Sequence, residues 1–150
     1  MKKEIEFLKK IGCEEIPHDS RNLLQHLVGV QEMLAHYERP EYEQRAGLFH
    51  AIYGTEFFQT GLNVDREIVQ KNIGIDAEEI VHWFCQPGVR PFRIMGGLEF
   101  GEPLKTSLRW LDYCNGMEQH GKGSKMSIAQ DDMVFENVMH LYEMILGICP

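Results

Sequence analysis

Apolar residues recur along this chain at intervals of three and four, with almost no strand-like alternation, so the pattern predicts helix after helix. Ile5, Leu8 and Ile11 mark a short first helix that stops at Gly12. Leu23, Leu27, Val30, Leu34 and Tyr37 line one face of a longer second helix, with Asp19 or Ser20 as its expected cap. Pro40 suits the first turn of a third helix, where Glu41 and Glu43 favour the positive end. From Ala46 to Tyr53 that helix is apolar nearly all round, as a central buried helix is, and Gly54 ends it. Asp65 starts a fourth helix running to Gly74, and Asp76 with Glu79 has capping-box spacing for a fifth through Ile80, Val81 and Phe84. Leu104, Leu108 and Leu111 begin a sixth. The chain then breaks at Gly121 to Ser124, and Asp131 or Asp132 caps a last helix carrying Met133, Phe135, Val138, Tyr142 and Ile145.

Between the fifth and sixth helices, Gln86 to Pro103 holds three prolines and four glycines. A stretch that long without a helical pattern reads as a lid or binding loop. No internal repeat or second domain is visible. The expectation is one all-α domain over residues 1–150, with six or seven helices and the second and third antiparallel at its centre.

Three helices place polar side chains where a core residue belongs. His26 falls between Met33 and Tyr37 on the apolar arc of the second helix. His50 lies in the buried third helix between Phe49 and Ala51, and Asn115 and Glu118 continue the stripe of Leu104, Leu108 and Leu111. A buried Glu is costly unless paired, hydrogen-bonded or bound to a metal, and a buried Asn needs several partners. Each alone has an ordinary reading: a satisfied core histidine, or a Glu near a helix end that reaches water. Together they point to one polar pocket. His18 just before the second helix and Glu56 just after the third lie at the same level, and His82 before Trp83 is a further wall. His36, His120 and His140 read as solvated-face or loop residues.

Charge and cysteines narrow the partners. The 150 residues carry 15 Lys and Arg against 23 Asp and Glu, a net −8. An acidic chain without a basic stripe is poorly suited to nucleic acid or to anionic membranes. Cys13, Cys85, Cys114 and Cys149 are scattered with no C-x-x-C pair, Glu4 and Glu6 interrupt any secretory signal, and no stretch is long and apolar enough to span a membrane. A reduced, cytoplasmic protein acting on a small molecule is expected, with a homodimer as an open alternative.

The residues around His26 and His50, 24 positions apart, resemble the HD-domain superfamily of all-helical metal proteins. Leu23-Leu24-Gln25-His26-Leu27-Val28 resembles its first element, Ala46-Gly47-Leu48-Phe49-His50-Ala51 its His-Asp element, and Leu111 to Glu118 its last. The run from His18 through Arg21 to His26, with His50-Ala51-Ile52-Tyr53-Gly54-Thr55-Glu56, is closer still to a small, uncharacterised bacterial branch. The resemblance implies an HD-like bundle. It also exposes two departures, because Ala51 stands where the family has its paired Asp, and Asn115 stands at the final Asp, with Asp112 and Glu118 one turn either side.

Two lost carboxylates disfavour a two-metal hydrolytic centre. The expected remainder is a single Zn²⁺ or Fe²⁺ held by His26, His50 and one displaced carboxylate, Glu56 or Glu118. His18, Arg21 and Glu56 would then act on an anionic or phosphorylated small molecule, by hydrolysis or oxidation. Asn115, Asp112 and His82 would line the pocket, with Arg90 and Arg93 from the long loop as alternative anion contacts or as ordinary surface charge. The alternatives are metal-free acid–base catalysis or ligand binding in the same pocket, and an interaction module built on a degenerate site.

Overall fold

A computed structural model describes residues 1–121 and 132–148 of the chain. Its elements are α1 (Lys2–Lys10), a two-residue hairpin of β1 (Pro17–His18) and β2 (Arg21–Asn22), α2 (Leu23–His36), α3 (Glu41–Phe49), α4 (Arg66–Ile73), α5 (Ile75–Phe84), α6 (Phe92–Gly96), α7 (Leu104–Gly121) and α8 (Asp132–Leu146). The protein is all-α, with eight helices among the described residues rather than six or seven. The additional one is α6, a single short turn inside the expected loop, which has no apolar periodicity long enough to announce it. The break after Gly121 and the Asp131 cap lie outside the described residues, as does the side chain of Asp132.

Most of the predicted stripe residues form the core, while Met133 and Ile145 of the last helix are exposed. Leu8, Leu23, Leu27, Val30, Leu34, Leu108 and Leu111 are fully or almost fully buried, and they join Phe49, Ile80, Phe84 and Tyr142 in one cluster. α2 runs antiparallel to α3, as shown by His26 meeting His50 near one end and the Gln31 amide donating to Gln44 at 3.0 Å further along. Gly47 makes the approach close, since a Cβ there would stand 2.6 Å from a Leu34 methyl. α7 packs across the same face of α2, and α5 backs α3.

Helix ends differ from expectation in instructive ways. Asn22, not Asp19 or Ser20, caps α2: its side chain accepts from the Gln25 N–H while Gln25 bonds back, a complete capping box. Asp19 is instead in the hairpin turn, at φ 56. Pro40 is the N-cap of α3 rather than part of its first turn, and α3 ends at Phe49 with His50 as C-cap. α5 starts directly after Gly74, whose φ of 90 allows the turn out of α4, so Asp76 lies inside the helix and no side-chain cap forms.

The stretch from Gln86 to Pro103 is tied down rather than open. Val89, Ile94 and Phe100 enter the core, Arg109 donates to the carbonyls of Ile94 and Met95, and the Tyr142 hydroxyl lies 3.2 Å from the Pro91 carbonyl. This segment is a wall of the site. No helix among the described residues is long and apolar enough to cross a membrane.

Candidate functional site

Four elements deliver side chains to one buried point. The β1–β2 hairpin sets His18 against the first turn of α2, where its ring stacks on His26 with centroids 4.3 Å apart and planes 8° from parallel. His26 and His50 are 1% and 2% exposed, and Asn115, Glu118 and Gln119 on α7 are also buried. Because His50 is the residue at which α3 stops, its ring turns back and Nδ1 donates to the Gly47 carbonyl at 2.7 Å. Its Nε2 is thereby left as a bare lone pair.

The proton inventory at His26 is the distinctive feature. Nδ1 lies 2.8 Å from the Glu118 carboxylate and must donate to it. On the other side of the ring, Nε2 is 2.8 Å from Asn115 Oδ1 and 3.1 Å from His50 Nε2, and both of those atoms present lone pairs. A neutral His26 would therefore aim three lone pairs at one another. One positive charge resolves the conflict, either a proton on His26 Nε2 shared between Asn115 and His50, or a metal ion at the same point; turning the Asn115 amide so that its N–H donates to Nε2 is the uncharged solution.

Glu118 supports the proton. Burial raises its pKa, but hydrogen bonds from His26 and Arg21, together with their charges, hold it down to about 2. Arg21 reaches both of its oxygens, at 2.6 and 2.9 Å. Gly29 of α2 makes room for this carboxylate, since a Cβ there would lie 2.8–2.9 Å from it. His50 is pushed well below the usual imidazole range by burial and by the neighbouring His26. His18 is lowered to about 4 by burial, by His26 and by Arg21. Both rings are neutral at pH 7. The Gln119 amide donates to His18 Nε2 at 3.4 Å, so His18 Nδ1 carries the hydrogen. That atom is buried and has no partner among the described residues.

The structure thus brings together His18, Arg21, His26, His50, Asn115 and Glu118. It separates the others. Glu56 is exposed and accepts from the Gly88 N–H at 2.9 Å, because the turn after α3 swings it outward, so it is neither a ligand nor an acid at the histidines. His82 sits against Trp83 on the outer side of α5, while Phe84 is the α5 ring that meets His50. Arg93 is exposed and holds Glu99. Arg90 is no surface charge: its guanidinium is 6% exposed, lies 4.2 Å from the Phe84 centroid and pairs with Asp112 at 2.9 Å. Asp112 also accepts from Tyr142 at 2.6 Å, so both of its oxygens are engaged away from the histidines. Sequence reasoning missed Gln119 and Thr55, which line the site. Gln119, four residues after Asn115 on one helical face, carried a usable signal; Thr55, in a turn, carried none.

The expected metal set is not assembled. Glu118 holds Nδ1 of His26, on the opposite side of the ring from the Nε2 that faces His50, so one ion cannot bind that Nε2 and Glu118 together. Among the described residues, no three His, Cys, Asp or Glu side chains are placed to hold a metal. What remains at the convergence point is two imidazoles and an amide oxygen, a weak and uncharged donor set.

Among the spaces that adjoin the cluster, two share Arg90, Asn115 and Gln119. A cavity of about 20 Å³ is lined by His18, His26, His50, Arg90, Asn115 and Gln119, among others, and has room for one water-sized group. A second pocket of about 140 Å³ between α7, α8 and the 90s segment shares Arg90, Asn115 and Gln119 with it.

No curated protein and no solved structure matches the chain. A family model matches residues 7–87, which carry His18, Arg21, His26 and His50 but stop short of Asn115 and Glu118. That match covers more than half of the 150 residues, and the chain belongs to the family described as a domain of unknown function, DUF6817.

Proposed function

We propose that the protein is an acid–base enzyme for a small molecule, with His26 as the group that gives and takes the proton. The observation that carries this reading is the His26 inventory: a carboxylate on Nδ1 and two lone-pair atoms within 3.1 Å of Nε2. A base oriented on its far side by a carboxylate is the arrangement that proton-transfer catalysis needs. Glu118 fixes the ring and stabilises its imidazolium. Arg21 keeps Glu118 ionised. His50, with a bare Nε2, accepts a hydrogen bond from that proton when a substrate group is absent. A positioned acid or base of this kind contributes about 10²–10⁴-fold to rate.

The centre occupies the positions that the resemblance to the HD-domain superfamily singles out, with the two metal-binding carboxylates replaced by Ala51 and Asn115. In this reading the fold is an HD-like bundle whose metal centre has become a proton centre. Substrate charge shifts accordingly. Arg21 and Arg90 each already neutralise a carboxylate, so an anionic or phosphorylated substrate has no unpaired arginine to meet among the site residues.

A second reading has one observation in its favour. Both rings donate Nδ1–H to an oxygen, Glu118 for His26 and Gly47 for His50, which is the outer hydrogen bonding that metal-ligating histidines have. In that case His26 Nε2, His50 Nε2 and Asn115 Oδ1 would hold a single Zn²⁺ or Fe²⁺, which would supply Lewis acidity or redox chemistry when bound.

Nitrogen-15 NMR of the histidine rings, with elemental analysis of the same untagged protein, separates the two. The proton reading expects no stoichiometric transition metal, His26 protonated on both nitrogens at pH 7, and His50 as the Nδ1–H tautomer. Stoichiometric Zn or Fe, or a neutral His26, overturns it.

A further inference from the structure

The pocket beside the histidines has a shape and chemistry that specify a ligand. Its volume, about 140 Å³, is close to the roughly 150 Å³ of a protein cavity that takes up benzene. Phe135, Val138 and Met139 of α8 form one apolar wall. Gly116 of α7 forms the facing floor, where a Cβ would stand 3.0 Å from the Met139 sulfur and 3.3 Å from the Phe135 ring. Phe92, 70% exposed, stands at the rim. The polar end is Asn115 and Gln119, which also line the histidine cavity, with Arg90 already matched by Asp112. A ligand here meets a neutral, mostly apolar surface that becomes polar only toward His26 and His18.

We infer that this pocket binds the body of the substrate, and that the substrate class is a small, uncharged molecule of about six to eight non-hydrogen atoms, an aromatic or branched carbon skeleton with one hydroxyl, carbonyl or amide head. The inference rests on the proposed proton-transfer centre, because Arg90, Asn115 and Gln119 line both the pocket and the histidine cavity. The head would enter the water-sized cavity, where the buried His18 Nδ1–H offers a donor and His26 Nε2 the exchangeable proton. A carboxylate or phosphate head is disfavoured, since both arginines are already paired and the only charge left to repay its desolvation is the His26 proton, which Glu118 already partners from behind.

The test uses the full chain with benzyl alcohol, benzamide, benzoate and phenyl phosphate as probes, read by ligand-observed NMR and by the histidine nitrogen-15 signals. The expected result is saturable binding of a neutral probe, at least about tenfold tighter than either anion, with a shift of the His26 signal on binding. Val138→Phe, which fills the pocket, should weaken the neutral probe by about tenfold or more. Gly116→Ala, acting from the opposite wall, is the second filling variant should the first fail to fold. Binding of the anions as tightly as the neutral probes, equal binding by the filled variants, or no saturable binding overturns the inference. Glu118→Gln distinguishes the two proposals, since it removes the carboxylate behind His26 and leaves the pocket intact. Saturable probe binding in that variant, with the His26 imidazolium lost, supports both. An unchanged His26 with normal probe binding sinks the proton centre alone.

Discussion

Glu118→Gln removes one charge and little volume from the centre, and its cost can be worked from the structure. The side chain is 3% exposed, and in the folded protein its pKa is held at about 2 against an ordinary 4.5. That difference corresponds to about 3 kcal/mol in favour of the ionised, folded form. A glutamine can still accept from His26 or Arg21, but not with a charge, so the variant should lose about 3 kcal/mol at pH 7. This agrees with the 3–5 kcal/mol typical of breaking a buried ion pair from one side. The sign with pH is fixed. A depressed folded pKa stabilises above the unfolded value and is lost as pH falls through the folded one. The gap between parent and variant should therefore be complete above about pH 5 and shrink to about 1 kcal/mol by pH 3. Urea unfolding of both proteins at pH 7, 4 and 3 measures it. A gap below about 0.5 kcal/mol at pH 7, or one that stays constant into acid, would refute the argument that Glu118 is a stabilised, buried anion.

The parent protein should itself be acid-labile in a higher window. His18, lowered from 6.5 to about 4, contributes stability that is complete above pH 6.5 and is lost as pH falls toward 4, with His50 acting in the same direction; unfolding free energy should drop by about 2–3 kcal/mol or more between pH 7.5 and 4.5, and His18→Gln should flatten that slope. Gly29→Ala gains a little helix propensity but drives a Cβ to within 2.9 Å of Glu118, so it should destabilise by about 1–3 kcal/mol in thermal unfolding, and should disturb the His26 ring signal. Restoring both lost acids in Ala51→Asp with Asn115→Asp places carboxylates at two positions lining the histidine cavity. The double variant should melt lower than the parent without metal and gain roughly 5–10 °C with saturating Zn²⁺ or Fe²⁺, whereas the parent gains nothing. Cys13, Cys85 and Cys114 are buried, and burial above all pushes their thiols up to about 11, 12 and 12, so all three should resist alkylation by iodoacetamide until the chain unfolds.

The positions legible in the sequence were those fixed by helical period. His26, His50, Asn115 and Glu118 stood out because a polar residue on an apolar stripe must end up buried, and all four are. Period does not tell which way a ring turns. His50 looked like a mid-helix residue, yet it sits at the C-cap, and its bond to Gly47 is what exposes Nε2 to the site. Loops escape the same logic. Glu56 follows α3 through a turn whose course depends on Gly54 at φ 76 and on Thr55, and the turn carries Glu56 to the surface. Arg90 was indistinguishable in sequence from Arg93, three residues on. Only the tertiary fit of the 90s segment onto Asp112 and Phe84 buries one and leaves the other on Glu99. Glu43 and Glu78 escaped notice for a related reason. Each sits in a helix first turn, where acidic residues are ordinary, yet each is buried under arginines and hydroxyls from neighbouring elements.

Charge balance connects these placements to chemistry. Every buried carboxylate near the site has its own arginine, Glu118 with Arg21 and Asp112 with Arg90, so the fixed charges around His26 sum to zero. One added positive charge, spread over an imidazolium that already touches Glu118, is a modest load for such an interior. A divalent ion at the same point would bring twice the charge to donors that carry none, since Ala51 and Asn115 stand where the resemblance expects acids. The two substitutions and the two arginine pairs therefore act in one direction. They remove anions from the convergence point and neutralise those nearby, which lowers affinity for a hard cation and is what the proposed proton centre requires.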